Sequence, residues 1–149
     1  MPQSLSQLYV HLVFSTRERA RLIHSDVQPR LHAYIAGALA AENCPVLIVG
    51  GMPDHVHILL RLSRTLSVSD AVKTAKVESS KWMKAEQSIA DFAWQAGYGA
   101  FSVSESNVDN VVSYIRDQER HHARLTFQDE FREILQRHNV QYDEAYVWD

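Results

Sequence analysis

The chain has 149 residues, and we expect residues 1–149 to form a single domain. Hydrophobic residues make up 46% of the chain and charged residues 22%, and no stretch approaches the roughly 18 apolar residues of a membrane span. Cys44 is the only cysteine, which excludes an internal disulfide and a cysteine-based zinc site. The N-terminus has no basic segment ahead of its apolar run, so we expect no signal peptide, no membrane partner and a cytoplasmic protein.

The net charge of −3 argues at first against a nucleic-acid partner. The charge is uneven, however, because residues 128–149 carry six acids and two bases, whereas residues 1–127 carry twelve acids and thirteen bases. The excess of acidic residues is thus confined to the C-terminal segment, and the rest of the chain is nearly neutral. This distribution is compatible with local DNA contacts but does not predict them.

The hydrophobic pattern predicts strands and helices in alternation. In chain order we predict a strand over about Leu8–Phe14, a helix from about Asp26 to Glu42, a hairpin of Val46–Val49 and His55–Arg61, a helix from Ser67 or Ser69 to about Glu86, a strand over Tyr98–Ser104, a helix from Ser106 or Asn107 to about His122, and a last helix over about Phe127–His138. This order is that of the α+β, ferredoxin-like split βαβ fold with an antiparallel sheet. Two helices would cover one face of the sheet and leave the other open for a site or a partner.

His55 and His57 lie two residues apart in a predicted strand, so both imidazoles project from one face of the sheet. Val56, Ile58 and Leu60 would then fill the opposite, helix-covered face. Two neighbouring neutral imidazoles form a natural pair of metal ligands. The alternative is two structural histidines beside a turn, because a His-X-His sequence also occurs by accident.

Tyr114 and Gln118 lie four residues apart in a predicted helix and are therefore neighbours on one side of it. They lie near the edges of its apolar face, which is formed by Val108, Val111, Val112 and Ile115. This position suits side chains that reach across a sheet surface. An interfacial tyrosine with a polar neighbour is the alternative interpretation.

Taken together, these residues resemble a known family. The segment Asp54–Leu60 is similar to the His-hydrophobic-His motif of the HUH superfamily, and Tyr114–Gln118 resembles the tyrosine-plus-glutamine helix of the single-tyrosine transposases of IS200/IS605-type insertion sequences. The segments Val10–Arg17 and Gly97–Ser104 also resemble this family, and the similarity extends over about residues 9–122.

The resemblance implies a metal-dependent single-strand DNA transposase in which Tyr114, on a C-terminal catalytic helix, attacks a DNA phosphorus and forms a 5′-phosphotyrosine link. It implies that His55, His57 and Gln118 bind a divalent metal, Mg²⁺ or Mn²⁺. Imidazoles favour Mn²⁺, Ni²⁺ or Zn²⁺ over Mg²⁺, so we expect a weak site that fills mainly when DNA oxygens complete it.

The resemblance also implies the partners. The substrate would be single-stranded DNA with hairpins at the ends of a mobile element. The protein would be a homodimer whose strands join into one sheet and in which each tyrosine helix can serve the histidine pair of the partner chain. The first strand, Tyr9–Ser15, is the edge that we expect to join.

Basic side chains occur in three places where we expect contacts with DNA phosphates: the first loop, the second helix and the neighbourhood of the catalytic helix. The alternatives are a solvated helix face, which Asp70 interrupts, and simple charge at a helix C-terminus. The candidates are Arg17, Arg19, Arg21, Lys73, Lys76, Lys81, Lys84, Arg116, Arg120 and Arg124.

Three other functions remain open at this point. The first is a domesticated hairpin-binding or nicking protein of the same fold that no longer transposes. The second is a metal-dependent hydrolase of small molecules in which Tyr114 is structural. The third is an interaction module without a metal.

Overall fold

The computed structural model describes residues 2–149, which form a four-stranded sheet and five α-helices. None of the helices in this range is long and apolar enough to cross a membrane. The strands are antiparallel in the order β2-β3-β1-β4, so the chain has the predicted ferredoxin-like βαββαβ topology. The elements are β1 (Tyr9–Ser15), α1 (Gln28–Ala41), β2 (Val46–Met52), β3 (His55–Arg61), α2 (Val68–Ala85), β4 (Gly99–Val103), α3 (Val108–Arg116), α4 (Gln118–His122) and α5 (Phe127–Arg137).

The first face of the sheet packs against α1 and α2, as predicted. Val56, Ile58 and Leu60 are fully buried on this face among apolar side chains of both helices. Full burial of each such side chain stabilises the fold by about 1.5–3 kcal/mol. Ser67 caps the N-terminus of α2, and its hydroxyl accepts a hydrogen bond of 3.0 Å from the Asp70 amide.

The second face is covered by α3, α4 and α5, so the expectation of an open face is wrong. The helix α5 has an apolar stripe that includes Phe127, Phe131 and Ile134. This stripe packs against Val13 and Phe101, which project from the second face. An amphipathic helix must bury its apolar side, and this sheet face offers the matching surface.

The predicted helix over residues 106–122 is broken at Asp117. Asp117 has φ −93° and ψ 25°, outside the helical range, and it separates α3 from α4. Aspartate has a low helix propensity because its side chain competes for backbone hydrogen bonds. As a result, Tyr114 and Gln118 belong to different helices.

The strand β1 lies inside the sheet, between β3 and β4, so its predicted role as a joining edge is wrong. The backbone of Tyr9–Ser15 pairs with β3 on one side, and most of the strand pairs with β4 on the other. The edges of this sheet are β2 and β4. A second chain could extend the sheet only at one of those two strands.

A row of four paired residues crosses the centre of the second face: Gly50, His57, Val13 and Gly99. A Cβ atom on Gly50 would lie 2.7 Å from Cγ2 of Ile115 in α3, and a Cβ atom on Gly99 would lie 2.5 Å from Cε1 of Phe131 in α5. The two glycines therefore allow α3 and α5 to approach the sheet closely on either side of His57.

Candidate active site

The strand β3 projects His55 and His57 onto the second face, where both are fully buried. The Nδ1 atom of His55 lies 2.7 Å from Oδ1 of Asp54, and the Nδ1 atom of His57 lies 2.8 Å from Nε2 of His11. These partners fix the orientation of both rings. The two Nε2 atoms consequently point into one buried centre, an arrangement typical of metal-binding histidines.

The carboxylate of Glu130, from α5, occupies that centre and is only 1% exposed. Its Oε1 atom lies 2.9 Å from Nε2 of His57, 3.0 Å from Nε2 of His122 and 3.4 Å from Nε2 of His55. Its Oε2 atom accepts hydrogen bonds from the Tyr114 hydroxyl and, at 2.8 Å, from Nε2 of Gln118. A buried carboxylate requires partners of this kind.

The structure brings together the four residues singled out in the sequence. The Oε1 atom of Gln118 accepts a hydrogen bond of 2.9 Å from Nε2 of His55. The ring of Tyr114 lies 5.8 Å from the ring of His57, measured between centroids. All four side chains belong to one chain, although Tyr114 and Gln118 reach the histidines from two helices.

Burial and hydrogen bonding shift the pKa values of this cluster strongly. Burial opposes the charge of Glu130, but the surrounding imidazoles, His57 first among them, outweigh it and hold the pKa of this carboxyl far below its usual range. Burial also opposes the charge of His55, but its hydrogen bonds to Asp54 and Glu130 raise its pKa to about 9. Burial together with the Glu130 charge raises the pKa of Tyr114 well above its usual value. The phenol is therefore protonated and donates its proton towards a carboxylate.

The donor atoms fit a divalent cation. The ligand atoms of His55, His122 and Glu130 lie within 4.8 Å of one another, and His57 joins them through its 2.9 Å contact with Glu130. Imidazole nitrogen and carboxylate oxygen together suit Mn²⁺ or Zn²⁺ better than Mg²⁺.

Sequence reasoning missed three residues of this cluster: His11, His122 and Glu130. The sequence does mark Glu130, because an acidic residue on the apolar stripe of α5, next to Phe131, indicates a buried charge. In the sequence, His122 has the position of a charge at a helix end and His11 that of an ordinary strand residue. The contacts of these two histidines depend on the tertiary fold.

Two of the candidate DNA-contacting arginines lie beside the cluster. Arg21 and Arg116 are exposed and line a cavity of about 480 Å³ that Gln118 also lines. Arg120 and Arg124 are exposed on α4 and just after it.

The remaining candidates lie farther along the surface. Arg17 is exposed, and the guanidinium of Arg19 lies 5.8 Å from the centre of the Trp148 ring. Lys73, Lys81 and Lys84 are exposed on α2, which packs on the opposite face of the sheet from the histidines.

Lys76 differs from the other three candidate lysines of α2, because it is not exposed. Its Nζ atom donates hydrogen bonds to the carbonyl oxygens of Gln95, Ala96 and Gly97 at 2.8, 3.1 and 2.7 Å. Lys76 is half-buried and stabilises the segment before β4. The ammonium group has no free donor for a phosphate in this arrangement.

The solved structures that resemble this fold include two transposases. One is a Deinococcus radiodurans R1 protein described as a transposase, with a TM-score of 0.62 and 23% identity over 79% of this chain and 98% of that one. The other is a REP-associated tyrosine transposase bound to a REP hairpin, with a TM-score of 0.60 and 14% identity over 84% of this chain and 74% of that one. At these identities the likeness shows the fold alone.

Sequence comparison identifies the family. The ISDra2 transposase TnpA of Deinococcus radiodurans is 27% identical over 118 residues, which cover 75% of this chain and 84% of the relative. The family described as "Transposase IS200 like" matches residues 4–118, which include the histidine pair, Tyr114 and Gln118. The match ends before His122 and Glu130. Because it covers well over half of the sequence, this chain belongs to the IS200-like transposase family.

Proposed function

We propose that this protein cleaves and rejoins single-stranded DNA at the hairpin-marked ends of a mobile element, with Tyr114 as the nucleophile. Membership of a transposase family supports DNA strand exchange as the activity. The observation that carries the specific mechanism is the meeting of the Tyr114 hydroxyl with the Glu130 carboxylate, beside the buried His55–His57 pair. A phenol, a proton acceptor and metal-binding side chains are thereby present at one place.

In the proposed reaction the Tyr114 oxygen attacks a DNA phosphorus in line with the leaving 3′ oxygen. A bond forms between phosphorus and the phenolic oxygen while the bond to the 3′ oxygen breaks and that oxygen takes up a proton from water, which gives a 5′-phosphotyrosine and a free 3′-OH. The two ester bonds are of similar energy, so the 3′-OH of another strand can reverse the step without an external energy source.

Tyr114 requires activation for this role. A free phenol of pKa about 10 is ionised to only about one part in a thousand at neutral pH, and burial makes ionisation of Tyr114 still less favourable. Glu130 Oε2 already accepts the hydrogen bond of this hydroxyl. The carboxylate is too weak a base to ionise the resting phenol, but it is positioned to take the proton as the P–O bond forms and the phenolic O–H becomes acidic.

The metal site would be formed by His55, His57 and Gln118, with Mg²⁺ or Mn²⁺ as the family's ion. When bound, a divalent cation stabilises the negative charge that develops on the phosphate oxygens. The contacts of Asp54 and His11 keep the two imidazoles oriented for that task. Arg21 and Arg116, at the cavity beside Gln118, would contact the phosphates that flank the cleaved bond.

The proposed substrate is hairpin DNA and the proposed assembly is a homodimer. A structural neighbour of this chain is bound to a REP hairpin, which supports the first point. A dimer that continues the sheet would form through β2 or β4, the two edge strands. We also propose that residues 1–149 act as one domain, since helices from the C-terminal part complete the site on β3.

The test of the nucleophile is Tyr114→Phe. The substrate is a labelled single strand carrying a subterminal palindrome from the DNA that flanks the gene, incubated with Mn²⁺ and separated on a denaturing gel. We expect the wild-type protein to form a covalent protein–DNA adduct and Tyr114→Phe to form none, with hairpin affinity within about twofold because only one hydroxyl is lost. Tyr146→Phe is the matched control, because Tyr146 is 71% exposed and takes no part in the side-chain hydrogen bonds of the cluster.

An adduct formed by Tyr114→Phe would refute the assignment of the nucleophile. Adding a second, unlabelled strand tests for rejoining. A protein that forms the adduct but never transfers the label to the second strand would be a nicking protein instead.

A further inference from the structure

The buried cluster contains two side chains that lie beyond the part of the chain matched by the family. That match ends at residue 118, whereas His122 belongs to α4 and Glu130 to α5. Both nevertheless contact the histidine pair on β3. Glu130 Oε1 lies within 2.9–3.4 Å of three imidazole Nε2 atoms, those of His55, His57 and His122.

Each of the three imidazoles is oriented in the same way. The Nδ1 atom of His122 donates a hydrogen bond of 2.7 Å to the carbonyl oxygen of Leu125. The Nδ1 atoms of His55 and His57 are engaged by Asp54 and His11. A histidine whose Nδ1 is held by an oxygen or nitrogen partner presents Nε2 as its ligand atom, and metal-binding histidines in proteins are held in this manner.

We propose that Glu130 and His122 are additional ligands of the divalent cation bound by His55 and His57, so that this chain binds the ion with its own side chains before DNA arrives. This inference rests on the metal site of the proposed function, which it extends by an anionic oxygen and a third imidazole. It replaces the expectation of a weak site that only DNA oxygens complete.

The chemistry of the four side chains supports this assignment. Three neutral imidazoles and one carboxylate give a ligand set that prefers Mn²⁺ or Zn²⁺ to Mg²⁺. Metal–nitrogen bonds are about 2.1 Å long, so ion uptake replaces the present N–H···O hydrogen bonds with shorter bonds and releases the protons that those bonds contain. Glu130 keeps a second oxygen for Tyr114 and Gln118, so one carboxylate links the ion to the proposed nucleophile.

The experiment is a Mn²⁺ titration of the full, chelator-stripped chain without DNA, with free Mn²⁺ followed by electron paramagnetic resonance. We expect the wild-type protein to bind one ion per chain. Glu130→Gln and His122→Asn should each weaken binding by at least about tenfold, since even residues that only orient ligands cost 10- to 100-fold when changed. Glu133→Gln, an exposed acid on the same helix, is the matched control and should bind as the wild type does.

Pulsed resonance of the bound Mn²⁺ gives a second measurement. Nitrogen couplings from three imidazoles are expected in the wild-type protein and from two in His122→Asn. If Glu130→Gln does not fold, as judged by circular dichroism, His122→Asn still decides the matter. Wild-type affinity in both variants, or no binding by the wild-type chain until hairpin DNA is added, would overturn the proposal.

The outcome is separable from that of the proposed function. Suppose that Mn²⁺ binding depends on Glu130 and His122 but that Tyr114→Phe still forms the DNA adduct. The additional metal ligands would then be supported, and Tyr114 would be refuted as the nucleophile. Suppose instead that adduct formation depends on Tyr114 but that Mn²⁺ affinity is unchanged when Glu130 or His122 is replaced. Tyr114 would then be supported as the nucleophile, and the additional metal ligands would be refuted.

Discussion

Replacing Gly50 by alanine tests whether the close packing of α3 on β2 positions the proposed nucleophile, Tyr114. Gly50 pairs with His57 in the sheet and lies beneath Ile115, the residue after Tyr114. The added methyl carbon would lie 2.7 Å from Cγ2 of Ile115 and closer still to the Ile115 carbonyl oxygen, whereas ordinary contacts are 3.4–4 Å. Because one of these neighbours is backbone, α3 must move away by about 0.7–1 Å.

The size of the effect follows from that displacement. A 1 Å misplacement of a reacting group can cost about 100-fold in rate, so we expect Gly50→Ala to slow adduct formation by about two orders of magnitude. Overpacking of this kind also costs about 1–3 kcal/mol of unfolding free energy, partly offset by the lower backbone entropy of alanine. The proposed ion ligands are not on α3, so Mn²⁺ affinity should change little.

The assay is the single-turnover rate of adduct formation, with urea unfolding measured in parallel. Gly37→Ala in α1 is the control, because nothing lies within 4 Å of a Cβ atom there. This control should keep the wild-type rate and gain about 0.5–1 kcal/mol in stability. A Gly50→Ala protein with the wild-type rate would show that the contact between α3 and β2 does not position Tyr114.

Three further predictions concern the rest of the chain. Burial lowers the pKa of His32 to about 4, below the ~6.5 of an unfolded chain, so folding favours the neutral ring and stability is lost as the pH falls from about 6.5 towards 4. The loss is about 2 to 3 kcal/mol by pH 4.5, and His32→Leu should remove it from urea unfolding curves. Equal pH slopes in the two proteins would contradict this. Lys76→Met should lower the unfolding free energy by about 1.5–3 kcal/mol through the loss of its hydrogen bonds to carbonyl oxygens, with hairpin affinity unchanged. A loss of DNA binding without a loss of stability would instead support a phosphate contact. Arg116→Ala should weaken single-strand DNA binding and reduce the slope of log affinity against log salt concentration by about 0.7, whereas Lys84→Ala, on the opposite side of the sheet, should change neither. Equal losses of affinity in both variants would argue against the cavity beside Gln118 as the DNA path.

The order of strands and helices could be predicted from the sequence, because period-2 and period-3.6 hydrophobic patterns are local properties. The same rule placed His55 and His57 on one face of the sheet and Val56 on the other. The neighbours of β1 could not be obtained in this way, since strand order depends on which edges meet after the chain has collapsed. For the same reason the pattern predicted α5 but not the surface that it covers.

The candidate site was predictable only in part. Tyr114 and Gln118 could be selected because their spacing, together with the histidine pair, resembles a known family. The contacts of Glu130 and His122 with the histidines could not be predicted, because they join residues more than 60 positions apart. A charged residue within an apolar stripe, as at Glu130, is the local signal that indicates such a buried contact.

The burial of the cluster has a kinetic consequence. His55 and His57 have no exposed surface, and α5 is held over them by Phe127 and Phe131 in the second apolar cluster. Exchange of an ion with bulk solvent then requires a local opening of the side chains that cover the cluster, and this opening has its own free energy. Removal of the ion by a chelator should therefore proceed at the rate of that opening, and raising the chelator concentration should leave the rate unchanged.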